Sequence, residues 1–206
     1  MDDGVILTQL RDITKQRMSW GVKIDDVASI LGEDYSSKVK AKALWLLGEM
    51  GLKHTDEISD YVADIAGYLK SCDSKLRERS ANALGRIGRG DVGLVADYIE
   101  NLMELRFDID ENVRHAFIWA CENIATNNPE MFCDDLDIFF DMISDSSDKV
   151  RIEAPEMFRV VGKTKPECVI QYLERLEEIS QNDANRVVRI HSAGALKATR
   201  KALGEM

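Results

Sequence analysis

Residues 76–88 read Leu-Arg-Glu-Arg-Ser-Ala-Asn-Ala-Leu-Gly-Arg-Ile-Gly, and this stretch decides the fold because the chain repeats it. With Leu76 as position zero, apolar or small residues fall at offsets 0, 4, 7, 8 and 11, and a basic residue at offset 1. The same pattern opens at Val39, Val113, Val150 and Val188, in steps of 37, 37, 37 and 38 residues. Five copies at near-constant spacing are the mark of a repeat architecture, in which each unit buries its apolar face by stacking on its neighbours. The offsets have the period of a helix. Offset 5 is apolar in every copy as well (Leu44, Ala81, Ile118, Pro155, Ala193), so the apolar arc suits a helix packed on two sides.

A second amphipathic stretch precedes each copy. Ile58, Tyr61, Val62, Ile65 and Leu69 make one stripe, and Val95, Tyr98, Ile99 and Leu102 the next. Phe132, Leu136, Phe139 and Ile143 follow, then Val169, Tyr172, Leu173 and Leu176. Pro129-Glu130 and Pro166-Glu167 place proline in a first helical turn, where its missing N–H costs nothing. The unit is therefore helix–turn–helix. One period before Val39 lies Asp2, and Ile6, Leu10 and Ile13 fall on the apolar offsets, which predicts a capping half-repeat. The expectation is an all-α chain of about eleven helices forming one domain over 1–206. Its cap helix covers 3–19, and its five repeats cover about 21–54, 55–90, 91–127, 128–163 and 164–203. Pro155 sits about two turns inside a second helix and is expected to kink it.

This pattern resembles the HEAT repeat of the HEAT/armadillo-like α-solenoids over residues 2–203. The resemblance implies a right-handed α–α superhelix whose second helices line the concave face and whose first helices line the convex one. Members carry an Asp in the intra-repeat turn and a basic residue just inside the second helix. Asp34, Asp108, Asp145 and Asp183 stand at the first place, with Ser71 the exception, and Lys40, Arg77, Arg114, Arg151 and Arg189 at the second. The resemblance implies that these form a structural ladder of paired residues between repeats. The family's first-helix proline is missing from its usual place in every copy.

Charge is sorted by helix. The net charge is −10, yet the second-helix segments together carry +10 and the remainder −20. An acidic protein repels phosphate backbones at long range, which weighs against nucleic acid as the main ligand. Offsets 3, 6, 10 and 13 of the second helices should face the groove. Offset 3 reads Lys42, Arg79, Ala116, Glu153, His191; offset 6 reads Trp45, Asn82, Trp119, Glu156, Gly194; offset 10 reads Glu49, Arg86, Asn123, Val160, Ala198. Trp and Arg dominate interface energetics. Trp45, Arg79, Asn82, Arg86, His115, Trp119 and Asn123 are accordingly the candidate partner-binding residues, in a groove suited to an extended acidic-to-neutral peptide or protein segment. The bland alternative is that both Trp side chains pack as core.

Little speaks for catalysis. Gly85-Arg86-Ile87-Gly88-Arg89-Gly90 is glycine-rich but closes a helix, whereas a phosphate cradle opens one, so Gly88 and Gly90 read as C-caps. His54, His115 and His191 lie far apart without ligand spacing, so neither a metal nor a cofactor is expected. Cys72, Cys121, Cys133 and Cys168 form no C-x-x-C pair and read as reduced thiols of a cytoplasmic protein. Met1-Asp2-Asp3 has no basic stretch leading into an apolar run, so no signal peptide is expected, and no apolar run reaches membrane-spanning length. The expected function is a non-catalytic interaction scaffold or adaptor for another protein or peptide. The competing reading is a nucleic-acid-binding protein of the HEAT-like alkyl-DNA glycosylase type. Ile190, Ala193 and Leu196 of the last second helix mark the C-terminal repeat as a candidate homodimer contact.

Overall fold

The computed structural model describes residues 2–205, which are helical with no strand among them. Two compact units divide the chain, Met1–Ala120 and Cys121–Met206. Unit 1 holds α1 (Asp3–Lys15), α2 (Ile24–Gly32), α3 (Ser37–Gly51), α4 (Thr55–Ile58), α5 (Val62–Gly67), α6 (Ser74–Gly90) and α7 (Ile99–Glu104). The boundary falls inside α8 (Glu111–Ala125). Unit 2 continues with α9 (Leu136–Met142), α10 (Asp148–Gly162), α11 (Pro166–Val169), α12 (Leu173–Asn182) and α13 (Arg186–Leu203).

The long helices α3, α6, α8, α10 and α13 are the second helices of the repeat. Their opening residues Val39, Leu76, Val113, Val150 and Val188 are all buried. Burial recurs at offsets 4, 7, 8 and 11, through Ala43, Leu46, Leu47 and Met50 on α3 and through Ser80, Ala83, Leu84 and Ile87 on α6. Inside unit 1 these helices cross very closely. A Cβ on Gly48 would lie 2.6 Å from the Ala83 Cα, and one on Gly85 would lie 2.5 Å from the Ala120 Cα. Glycine at offset 9 facing alanine at offset 7 of the next repeat is what lets neighbouring second helices touch backbone to backbone.

The glycine-rich segment corrects one expectation. Gly88 and Gly90 are not C-caps: α6 runs through both, and Asp91 ends it in extended conformation (φ −147°, ψ 111°). A Cβ on Gly90 would meet the Leu52 carbonyl oxygen at 2.9 Å, so close packing rather than capping explains that glycine. α10 likewise continues through Pro155, which is buried.

First helices differ from the plain helices the sequence predicts. Each is cut into short α and 3₁₀ pieces at a fixed place. Tyr61, Tyr98, Asp135 and Tyr172, spaced by 37 residues, share φ between −98° and −110° with ψ near zero. The break needs no proline. Tight i→i+3 bonds make it, such as Val62 N–H to the Ser59 carbonyl and Leu173 N–H to the Ile170 carbonyl. Tyrosines at and near these breaks tie successive first helices together. The Tyr61 hydroxyl donates to Asp25 at 2.8 Å, Tyr68 to the Leu31 carbonyl at 2.7 Å, and Tyr172 to Asp137 at 3.0 Å.

In unit 2, Cys133 and Cys168 are joined in a disulfide, 35 residues apart, so the reading of four reduced thiols is corrected. Cys133 lies in the 3₁₀ segment that opens the fourth repeat and Cys168 in α11, which opens the fifth. Their separation is close to one repeat, and that brings side chains of successive first helices together. Cys72 is a free, exposed thiol and Cys121 a free, buried one.

Candidate binding face of the second helices

In unit 1 the side chains at the groove offsets form a connected row. Lys42 Nζ lies 3.8 Å from the centre of the Trp45 ring. On the next helix, Arg86 Nε pairs with Glu49 of α3 at 2.9 Å, while its guanidinium lies 4.9 Å over the Trp119 ring of α8. Glu49, Arg86 and Trp119 thus link three consecutive second helices. Trp45 and Trp119 are half-buried. Trp20, by contrast, is 5% exposed and spends its Nε1–H on the Ile13 carbonyl at 2.9 Å. Arg79, Asn82 and His115 are half-buried too. Asn123, further along α8 and past the unit boundary, is 6% exposed.

Beside Trp45, between the starts of α3 and α6, lies a cavity of about 510 Å³ lined by Ser37, Lys38, Ala41, Lys42, Trp45, Lys75 and Arg79. Burial and the charges of Arg11 and Arg79 push the Lys42 ammonium below its ordinary pKa. Lys38 and Lys75 escape an apolar-offset reading. Both stand at offset −1, just before the residue that opens the helix.

The turn residues do what holds the face in place. Arg77 grips Asp108 with two bonds of 2.7 and 2.8 Å and also donates to the Ser71 carbonyl at 2.8 Å. Burial works to raise the Asp108 carboxyl, and the bonds from Arg77 outweigh it, holding Asp108 below its usual range. In unit 2, Arg151 holds both oxygens of Asp183, at 2.8 and 2.7 Å. Arg114 donates to the Asp108 carbonyl at 2.8 Å, and Arg189 to that of Asp183 at 2.5 Å. Asp145 accepts the Ser147 amide at 2.7 Å. Lys40 and Asp34 make no such pair. The place opposite Lys40 holds Ser71, and the place opposite Asp34 is Asp3. A second series runs alongside, unseen at the sequence level. The hydroxyls of Ser37 and Ser74 help hold Asp73 and Asp110, the residues that cap α6 and α8, below the usual carboxylate range.

Unit 2 carries a different second-helix face. Burial, then the charges of Glu153 and Glu156, push Glu122 up to about 7, against the pull of Arg159 at 3.7 Å. Glu156 in turn pairs with Arg159 and lies 3.1 Å from His191 Nδ1. On α13, Ile190 is 54% exposed and Ala193 is exposed, whereas Leu196 is buried. Among the described residues no group of three or more His, Cys, Asp or Glu side chains is arranged to hold a metal, and no helix is long and apolar enough to cross a membrane.

No protein-family model matches the chain, and no curated protein does. Solved structures do match. An engineered protein superimposes with a TM-score of 0.70 at 17% identity, over 98% of this chain and 93% of its own. A designed armadillo repeat protein in complex with the peptide (KR)4 gives 0.66 at 18% identity, over 94% and 92%. Computationally designed armadillo repeat proteins for modular peptide recognition give 0.63 at 19% identity, over 96% and 94%. The shared helical architecture, with the 37-residue register and its buried anchors, makes this chain an armadillo/HEAT-like repeat solenoid by fold.

Proposed function

We propose that the chain is a non-catalytic interaction scaffold that takes an extended, acidic-to-neutral peptide on the second-helix face of unit 1. The observation that carries this reading is the state of Trp45 and Trp119. All three indoles carry a cation over the ring, but Trp45 and Trp119 stay half-buried, whereas Trp20 is consumed by the core. Half-buried aromatics beside Arg are the residues on which interface energy concentrates. Two of the similar structures are named for peptide binding or recognition, one of them with a Lys/Arg peptide. Lys42, Arg79 and Arg86 reverse the sign of the preferred ligand here. The test is selection of peptides from a displayed random library on the whole chain, followed by titration against Trp45→Ala and Trp119→Ala. The expected result is recovery of peptides rich in Asp, Glu and apolar residues, with each substitution weakening binding at least tenfold and leaving the thermal midpoint unchanged. Loss of the midpoint with no specific loss of affinity would make both rings structural and overturn the reading.

A further inference from the structure

The cavity between the starts of α3 and α6 has an unbalanced charge. Lys38, Lys42, Lys75 and Arg79 stand around an apolar floor of Ala41 and Trp45. Arg11 adds a fifth positive charge near enough to act on Lys42. Two carboxylates oppose them. Glu78 is bonded to Lys75 at 2.7 Å and lies 3.8 Å from Arg79. Asp73 is committed to the Lys75 amide at 2.8 Å, as the N-cap of α6. Among the described residues, no carboxylate lies within 4.0 Å of Lys38, Lys42 or Arg11. Lys42 leans on the Trp45 ring instead. The helix ends add to the same field. Ser37 and Lys38 open the 15-residue α3, whose N-cap Ser36 makes no side-chain capping bond. Lys75 lies in the first turn of the 17-residue α6. Both dipoles present their positive ends there.

We propose that this cavity seats a phosphorylated side chain of the bound peptide, held by Lys38, Lys42, Lys75 and Arg79. The inference rests on the peptide-binding reading above and specifies the ligand of the same face. A carboxylate brings one charge and two oxygens. A phosphorylated side chain brings about −1.5 to −2 charges at neutral pH and three acceptor oxygens, which suits several ammonium donors converging from two helices. The volume is on the scale of a small-ligand pocket. A nucleic acid needs a stripe of cations along which successive phosphates run. Here Glu49 interrupts the face beside Arg86, and the chain as a whole carries −10.

The experiment uses the whole chain and one selected peptide, synthesised with Ser, Glu or phosphoserine at each position in turn. O-phospho-L-serine and a nine-residue oligothymidine serve as further probes at physiological salt. Phosphoserine at one position is expected to lower Kd at least tenfold against Ser and at least threefold against Glu. Lys42→Met and Arg79→Met should each cut that gain below threefold without lowering the thermal midpoint, while Lys201→Ala on α13 leaves it intact. Equal affinity for the Ser and phosphoserine forms at every position overturns the proposal. So does oligothymidine binding as tightly as the phosphopeptide, which makes the face a nucleic-acid site. If no peptide is recovered yet O-phospho-L-serine binds and Lys42→Met abolishes it, the peptide reading fails and the phosphate seat stands alone.

Discussion

At offsets 3 and 6 of the second helices, unit 1 places Lys42, Arg79 and Trp45, while unit 2 places Glu153, Glu156 and His191. The backbone register is the same, and the electrostatics are reversed. Each face buries a charge among like charges, so a Lys is depressed in unit 1 and a Glu raised in unit 2, by burial first and by the neighbouring charges second. The difference lies in how the crowding is relieved. In unit 2, Arg159 and His191 reach into the acids and pair with Glu122 and Glu156. In unit 1 the relief for Lys42 is an aromatic ring, and among the described residues no carboxylate answers it. Repeat geometry therefore fixes where a side chain points, and the residue placed there decides whether the face is satisfied internally or by a ligand.

The largest way to separate the two units is through the Cys133–Cys168 bridge, which unit 1 has no counterpart for among the described residues. With a closed loop of 35 residues, the chain-entropy model assigns the bridge about 4 kcal/mol. Cys133→Ser/Cys168→Ser, or a reductant, should lower the stability of unit 2 by that order and leave unit 1 nearly unchanged. Urea unfolding followed by hydrogen exchange, read separately for the two units, checks this; an equal loss in both units would break the comparison. A smaller effect comes from Glu122. Its folded pKa is raised from 4.5 to about 7, so its contribution to stability is full below 4.5 and is lost as the pH rises through 7. Glu122→Gln should remove that slope and stabilise the chain at pH 8 by roughly 1–3 kcal/mol, since a neutral amide is cheaper to bury than a carboxylate and no longer repels Glu153 and Glu156. Denaturation curves at pH 5 and pH 8 decide it: a variant that keeps the wild-type slope would place the raised carboxyl elsewhere.

What the sequence made legible was what repeats. The apolar offsets led to the buried anchors Val39, Leu76, Val113, Val150 and Val188, because stacking makes burial periodic. Polar features needed coordinates. The breaks at Tyr61, Tyr98, Asp135 and Tyr172 carry no proline to announce them. A pair of cysteines 35 residues apart matches no short motif, although a period near that value brings successive first helices together. Gly88 and Gly90 resemble terminators since glycine favours C-caps, but α6 runs through both, and close packing uses Gly90 for its missing side chain. For Trp45 the offset gave the direction and not the degree of burial. Lys38 and Lys75 recur at offset −1, outside the apolar register, so helical periodicity alone does not single them out.

The smallest expected effect tests the ladder itself. Arg77 and Arg151 each grip an Asp one repeat further on, and Lys40 has no such partner because Ser71 stands where Asp108 stands in the next repeat. Ser71→Asp supplies the missing carboxylate. Both positions are half-buried, so the new pair should add about 0.5–1 kcal/mol to the stability of unit 1, near the upper end for a partly exposed ion pair. A second gain competes with it. Ser71 already accepts the Asp73 amide at 3.2 Å, and the Asp residues at the equivalent place in the third and fifth repeats accept theirs at 2.9 and 2.7 Å, so the substitution also tightens that turn. A double-mutant cycle with Lys40→Met separates the two. If the rung forms, most of the gain disappears in the Lys40→Met background and shrinks in high salt. If the gain survives both, the turn is its source, and Arg at offset 1 rather than charge alone is what the ladder requires. Lys40→Arg combined with Ser71→Asp then restores the rung, because a guanidinium can hold both carboxylate oxygens as Arg77 does and an ammonium cannot.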